Sequence, residues 1–141
     1  MPRALTIHWQ RLVSSEGQTC PRCADTGDEI QKAVAILDQA LLPLGIRPEL
    51  QISEIDPSAF RASPAESNRI TIADRTIEEW LGGHAGGSRC CSVCGDSDCR
   101  TVEVGGVSFE TIPERLILQA ALLASAALLD EGQDEPPGCC S

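Results

Sequence analysis

Three features of the 141-residue sequence predict an α/β domain. Leu5, Ile7 and Trp9 alternate with Thr6, His8 and Gln10 at strand spacing. A helical pattern follows at Ile30, Ala33, Val34, Leu37, Leu41 and Leu44, and it leads to a second alternating segment at Leu50 and Ile52. A later hairpin pattern and a closing apolar helix complete the order β-α-β-(α)-β-insert-β-α.

Each element has its own signal. After the first strand, residues 14–25 read as a loop, and Thr26 with Glu29 forms a capping-box pattern that predicts a helix start at about Thr26 and an end at Gly45. Asp56-Pro57 opens a helical turn around Phe60, with proline at the first helical position. Ile70-Thr71-Ile72 is a short third strand, and Thr76 with Glu79 opens a brief helix that closes at Gly82-Gly83. Residues 84–100 are rich in glycine and cysteine without a period, and read as a loop insert. Thr101 to Val104 and Val107 to Ile112, joined by Gly105-Gly106, read as a hairpin. Pro113 starts a last helix that runs to about Asp130 and is apolar on nearly every face, so burial on more than one side is expected, by the sheet and by a homodimer partner. Residues 1–131 therefore form one domain, and residues 132–141 read as a mobile tail that carries two cysteines.

Charge and composition bound the function. A formal net charge of −10 disfavours phosphate backbones and anionic lipid, so no nucleic-acid partner is expected. The aromatic residues are Trp9, Phe60, Trp80 and Phe109, too few to make a stacking platform for single strands. The first ten residues hold no secretory apolar run, and the stretch Leu116 to Leu129, broken by Gln119 and Ser125, is shorter than the roughly 18 to 20 residues that span a bilayer. No membrane insertion and a cytoplasmic, thiol-reducing location are expected. No phosphate loop, flavin or nucleotide site, or zinc-protease motif is seen.

The chemistry is expected to run through the eight cysteines. Cys20-Pro-Arg-Cys23 follows the first strand, and a C-x-x-C beside a βαβ unit reads as a redox dithiol or as a metal knuckle. Arg22 favours the thiolate, whereas a helix start at Thr26 would leave the dithiol short of the helix dipole. Cys90, Cys91, Cys94 and Cys99 place four sulfurs in ten residues and suit a soft ion, whether zinc, arsenic(III) or mercury(II), alone or shared with Cys20 and Cys23. His84 is a further candidate ligand that reads more simply as an exposed loop residue. Cys139 and Cys140 on the Pro-Pro-Gly stalk read as a relay that visits the main sulfur site at high effective concentration.

The order of elements, with a dithiol after the first strand, resembles the thioredoxin-like fold. Residues TCPRCADTG, TIEEWLGG, CCSVCGDSDCRTVEVGG and IPERLILQAALLA are similar to an uncharacterised prokaryotic family of short, cysteine-rich, thioredoxin-like proteins over about residues 4–130. The terminal Gly-Cys-Cys-Ser is similar to the cysteine pair on the tail of mercuric reductases, and vicinal cysteines on such a domain resemble arsenic metallochaperones. The first functional reading is binding or transfer of a soft metal or metalloid ion, handed to a thiol-containing or metal-transfer partner protein. The second is a thiol–disulfide oxidoreductase with Cys20 as nucleophile and Cys23 resolving. The third is a structural zinc module that binds a protein through its last helix. The sequence leaves open the ion, the partner, and whether the insert and the dithiol share one site.

Overall fold

The computed structural model describes residues 3–13, 21–63, 66–88 and 99–131. Among them are seven strands and four α-helices in an α/β arrangement. The main sheet has the order β2-β1-β3-β4. Its central strand β1 (Arg3–Leu12) pairs in parallel with β2 (Ile46–Ile55), in step from Arg3 opposite Ile46 to Leu12 opposite Ile55. On its other side β1 runs antiparallel to β3 (Arg69–Ile72), which turns into the two-residue strand β4 (Arg75–Thr76). The predicted alternation holds: Leu5, Ile7 and Trp9 are buried, while Thr6, His8 and Gln10 are only partly covered. Strand β2 extends beyond the Leu50–Ile52 alternation at both ends, and as the edge of the sheet it accommodates Pro48, which has no amide for a second ladder.

Helix α1 (Pro21–Ala40) starts five residues before the expected Thr26. The capping-box residues are used elsewhere. Thr26 is fully buried, and its Oγ1 accepts a 3.2 Å hydrogen bond from the Ile112 amide. Glu29 Oε1 accepts the amide of Glu114 at 3.0 Å, and Glu114 is the first residue of α4 (Glu114–Glu131). The two side chains that looked like a cap for α1 thus tie down the entry to α4, and Pro21, with no amide to lose, opens α1. The apolar face of α1 (Ile30, Ala33, Leu37) and that of α4 (Leu116, Ile117, Ala120, Ala121, Ala124) close on the Leu5-Ile7-Trp9 side of the sheet. After Ala40 a 3-10 turn (Leu42–Leu44) ends at Gly45, whose φ of 70° is the left-handed value glycine supplies cheaply. Helix α4 buries fewer faces than its composition suggests, since Leu122 and Leu123 remain 50% and 44% exposed.

The two short helices follow their sequence signals. α2 (Pro57–Ala62) is capped by Asp56, which accepts the Ala59 amide at 2.7 Å, and it buries Phe60. α3 (Ile77–Leu81) carries the full Thr76–Glu79 capping box and closes at Gly82.

The segment expected to be a loop from residue 84 to 100 instead contributes two strands. β5 (His84–Ser88) pairs with β6 (Cys99–Val104), which pairs with β7 (Val107–Phe109) in a separate three-stranded sheet. Glycine here serves close approach and not a loop: a Cβ on Gly86 would lie 2.1 Å from Glu103 Oε2 and 2.8 Å from Thr101 Oγ1. The Gly105-Gly106 hairpin is present, with φ of 60° and 80° at its centre. No helix among the described residues is long and apolar enough to cross a membrane.

A Cβ on Gly27 would stand 2.8 Å from Trp9 Cη2. Gly27→Ala gains about 1 kcal/mol of helix propensity but forces a well-packed ring to move, at about 1–3 kcal/mol. Urea unfolding should therefore show net destabilisation, and an unchanged or raised midpoint would refute the tight contact. The Glu29 carboxyl is held below its ordinary value near 4.5, first by the hydrogen bond from Lys32 and then by that from the Glu114 amide. A carboxyl lowered in the folded state contributes stability above its unfolded pKa and loses it as pH falls through the folded value. The urea midpoint should drop below pH 4.5, and it should drop less in Glu29→Gln.

Candidate dithiol site

Cys23 is the third residue of α1 and is completely buried in the main apolar cluster, together with Trp9, Ile30 and Ile112. Cys20 immediately precedes Pro21, the first helical residue. Cys23 therefore lies in the first turn of a 20-residue helix, not in a loop three residues short of one. Amides in the first turn of a helix lack intrahelical acceptors, so this end carries partial positive charge and favours an adjacent anion. The Arg11 guanidinium lies 5.6 Å from the centre of the Trp9 ring and is ion-paired with Glu54.

A continuous chain of contacts runs from this helix start to the base of the cysteine-rich segment. Gly27, one turn after Cys23, packs on Trp9. Trp9 Nε1 donates to Asn68 Oδ1 at 3.2 Å, and Asn68 Nδ2 donates to the Glu110 carbonyl at 3.2 Å. Asn68 is fully buried just before β3, with φ of 51°, a value asparagine tolerates better than most residues. The Glu110 carboxylate accepts from Ser88 Oγ at 3.1 Å, and Ser88 pairs in register with Cys99. The Arg100 amide donates to Ser67 Oγ at 3.4 Å. Both ends of the 89–98 connection are thus fastened beside the residues that lead into β3, and these are in turn fastened to the first turns of α1.

A buried ion pair holds the same base. Arg100 pairs with Glu78 of α3, with their side chains 8% and 5% exposed. Glu78 Oε1 has no hydrogen-bond partner among the described residues. Glu66 stands nearby. Burial works to raise its pKa, but hydrogen bonds from Gln10 and Arg69 and the charges of Arg69 and Arg100 outweigh that and lower it. Neither Asn68 nor the Arg100–Glu78 pair carries a signal that singles it out in sequence. Both depend on contacts between residues 22 to 59 positions apart.

Of the residues expected to act, Cys23 is placed, and Cys99 is placed by its backbone at the start of β6. Cys20, Cys90, Cys91, Cys94, Cys139 and Cys140 lie outside the described residues. Among the described residues, no group of three or more His, Cys, Asp or Glu could hold a metal ion. His84 opens β5 opposite Glu103, at the end away from the Ser88–Cys99 pair, and its imidazole is 75% exposed and 3.4 Å from the Glu103 carboxylate. That register separates it from the cysteine-bearing connection. His8 is a sheet residue whose Nε2 is hydrogen-bonded to Ser53 Oγ at 2.8 Å. A cavity of about 620 Å³ lined by Ala4, Thr6, Gln51, Asp74, Trp80 and Leu128 contains no cysteine.

Comparison with known proteins places the chain in a family. Residues 5–121 match the family model described as a domain of unknown function, DUF2703, and the chain belongs to that family. An uncharacterized protein of Archaeoglobus fulgidus is 41% identical over 113 residues, which cover 80% of this chain and 82% of that protein. No solved structure matches.

Removing one partner of a buried pair leaves an uncompensated charge and costs about 3–5 kcal/mol, whereas replacing both with apolar groups of similar volume is often neutral or stabilising. Glu78→Gln should lower stability by about that amount in urea unfolding, and the double change Glu78→Met with Arg100→Met should restore most of it. Equal loss in both variants would contradict the ion-pair account.

Proposed function

We propose that this DUF2703 member is a thioredoxin-like thiol–disulfide oxidoreductase with Cys20 as the attacking thiolate and Cys23 as the resolving thiol. The observation that carries this reading is the start of α1 at Pro21, the residue that follows Cys20 in sequence, with Cys23 buried in the first turn of the helix. A C-x-x-C beside a βαβ unit supports it, as does the continuation of that unit by antiparallel β3 and β4 and a closing helix. In the reaction, the Cys20 thiolate attacks one sulfur of a substrate disulfide, and the other sulfur leaves as a thiolate. Cys23 then loses its proton and attacks Cys20 Sγ, so that the substrate's second thiolate departs. The protein retains the Cys20–Cys23 disulfide, and two electrons have passed to the substrate. Burial of Cys23 keeps it from solvent oxidants until the mixed disulfide forms.

A soft-ion role at Cys90, Cys91, Cys94 and Cys99 is a second reading, favoured by the β5–β6 register. Ser88 pairs with Cys99 across adjacent strands, and the four cysteines fall within ten consecutive residues of the sequence. Zinc, arsenic(III) and mercury(II) are the thiophilic ions it would suit.

Insulin reduction driven by dithiothreitol separates the two readings. The wild-type protein should accelerate the reaction, Cys20→Ser should fall to background, and Cys23→Ser should trap mixed disulfides at Cys20. Wild-type protein without activity, or Cys20→Ser with full activity, would overturn the oxidoreductase reading. Native mass spectrometry with zinc or arsenite that shows ion binding unaffected by Cys20→Ser would then leave the soft-ion reading.

A further inference from the structure

We propose that the outer face of α4 is a self-complementary docking surface, on which a second copy of this chain seats its own α4 in the antiparallel sense about a two-fold axis between Leu122 and Leu123. The inference is independent of the dithiol reading. Arg115, Gln119, Leu122, Leu123, Ala126 and Asp130 are all exposed. At about 100° per residue they fall within an arc of about 100°, on the side of α4 away from the buried Ile117, Ala120 and Ala124. They form one stripe along the helix, basic at its start, apolar at its centre and acidic at its end.

The stripe matches itself when reversed. An antiparallel copy centred between Leu122 and Leu123 brings Arg115 opposite Asp130, Gln119 opposite Ala126 and Leu122 opposite Leu123 in a single register. The two leucines of each copy, half-exposed in the isolated chain, then cover those of the other at the axis. Ala126 leaves room for the longer Gln119. Each copy contributes the same patch, as a closed two-fold dimer requires.

The charges at the two ends select this occupant and its direction. Arg115 is the second residue of α4 and Asp130 the last but one. A helix start carries partial positive charge and a helix end partial negative charge, so each of these residues opposes the dipole of its own helix. An antiparallel partner reverses both relations: Arg115 meets the negative, acidic end of the other α4, and Asp130 meets its positive, basic start. A parallel copy would instead set like charges side by side. An anionic membrane surface would meet Asp130 and a chain of net charge −10. Arg115 is placed for this pairing by its stacking on Phe109, with the guanidinium 5.4 Å from the ring centre. Stable interfaces bury about 800 Å² per partner, more than one helix face supplies, so the dimer is expected to form reversibly with concentration.

Sedimentation equilibrium of the full-length chain, kept reduced, tests the proposal. The wild-type protein should pass from monomer to dimer below about 1 mM, and Leu122→Glu should remain monomeric. Arg115→Asp and Asp130→Arg should each weaken self-association about tenfold, because each puts like charges at both ends of the interface. An equimolar mixture of these two variants should associate within about threefold of wild type, since every end pair is again of opposite sign. Net charge alone predicts a different result: Asp130→Arg makes the chain less acidic and would then strengthen association, which would overturn the proposal. Both charge changes match the dipole of α4, so lost association is not lost folding, and circular dichroism checks this. A wild-type chain that stays monomeric, its α4 face covered by another part of the chain or by a different protein, would also overturn the proposal. So would a dimer that Leu122→Glu leaves intact, or a mixture that associates no more tightly than its components.

Discussion

The arrangement depends on one buried contact set, in which Thr26 and Glu29 of α1 hold the amides of Ile112 and Glu114. An amide buried without an acceptor costs about 1–3 kcal/mol, so the entry to α4 is pinned to the third turn of α1. That pin has consequences at both ends of the molecule. At one end it commits Thr26 to tertiary bonding and leaves the helix to begin at Pro21, with Cys23 buried in its first turn. At the other end it sets where α4 starts, and its length then decides where the chain emerges.

The second constraint is the close seat of α1 on Trp9. The absent side chain of Gly27 lets the indole lie against the helix one turn below Cys23, and the indole amine reaches Asn68. Asn68 and Ser67 connect in turn to Glu110 and Arg100, so the strand that carries Cys99 and the helix that carries Cys23 share one supporting layer. The Arg100–Glu78 pair adds a fixed charge beneath it. Sites that need side chains held to within fractions of an ångström are commonly built on such rigid support.

Local signals made much of the fold legible. The alternation of β1, the Asp56 cap, the Thr76–Glu79 box and the Gly105-Gly106 turn all encode short-range geometry, and each element is where its residues place it. The structure departs from the sequence pattern where a residue with strong local meaning is used over a long range. Thr26 and Glu29 have the spacing of a cap but bond partners that lie 86 and 85 positions further along the chain. The glycines of β5 look like a loop but make room for Glu103 and Thr101 across a ladder. The C-x-x-C motif is plain in the sequence; that α1 starts within it is not, because that start depends on the remote partner of Thr26.

The central claim is that Cys20 and Cys23 form a reversible two-electron couple supported by the start of α1. Equilibration of the protein across a series of oxidised and reduced dithiothreitol ratios, with acid quenching, alkylation and peptide mapping, measures that couple directly. The account predicts that one Cys20–Cys23 disulfide appears and disappears along a two-electron curve and leaves the fold intact. Cysteines 20 and 23 that remain thiols across the series, or a first disulfide that joins either of them to another cysteine, would contradict it.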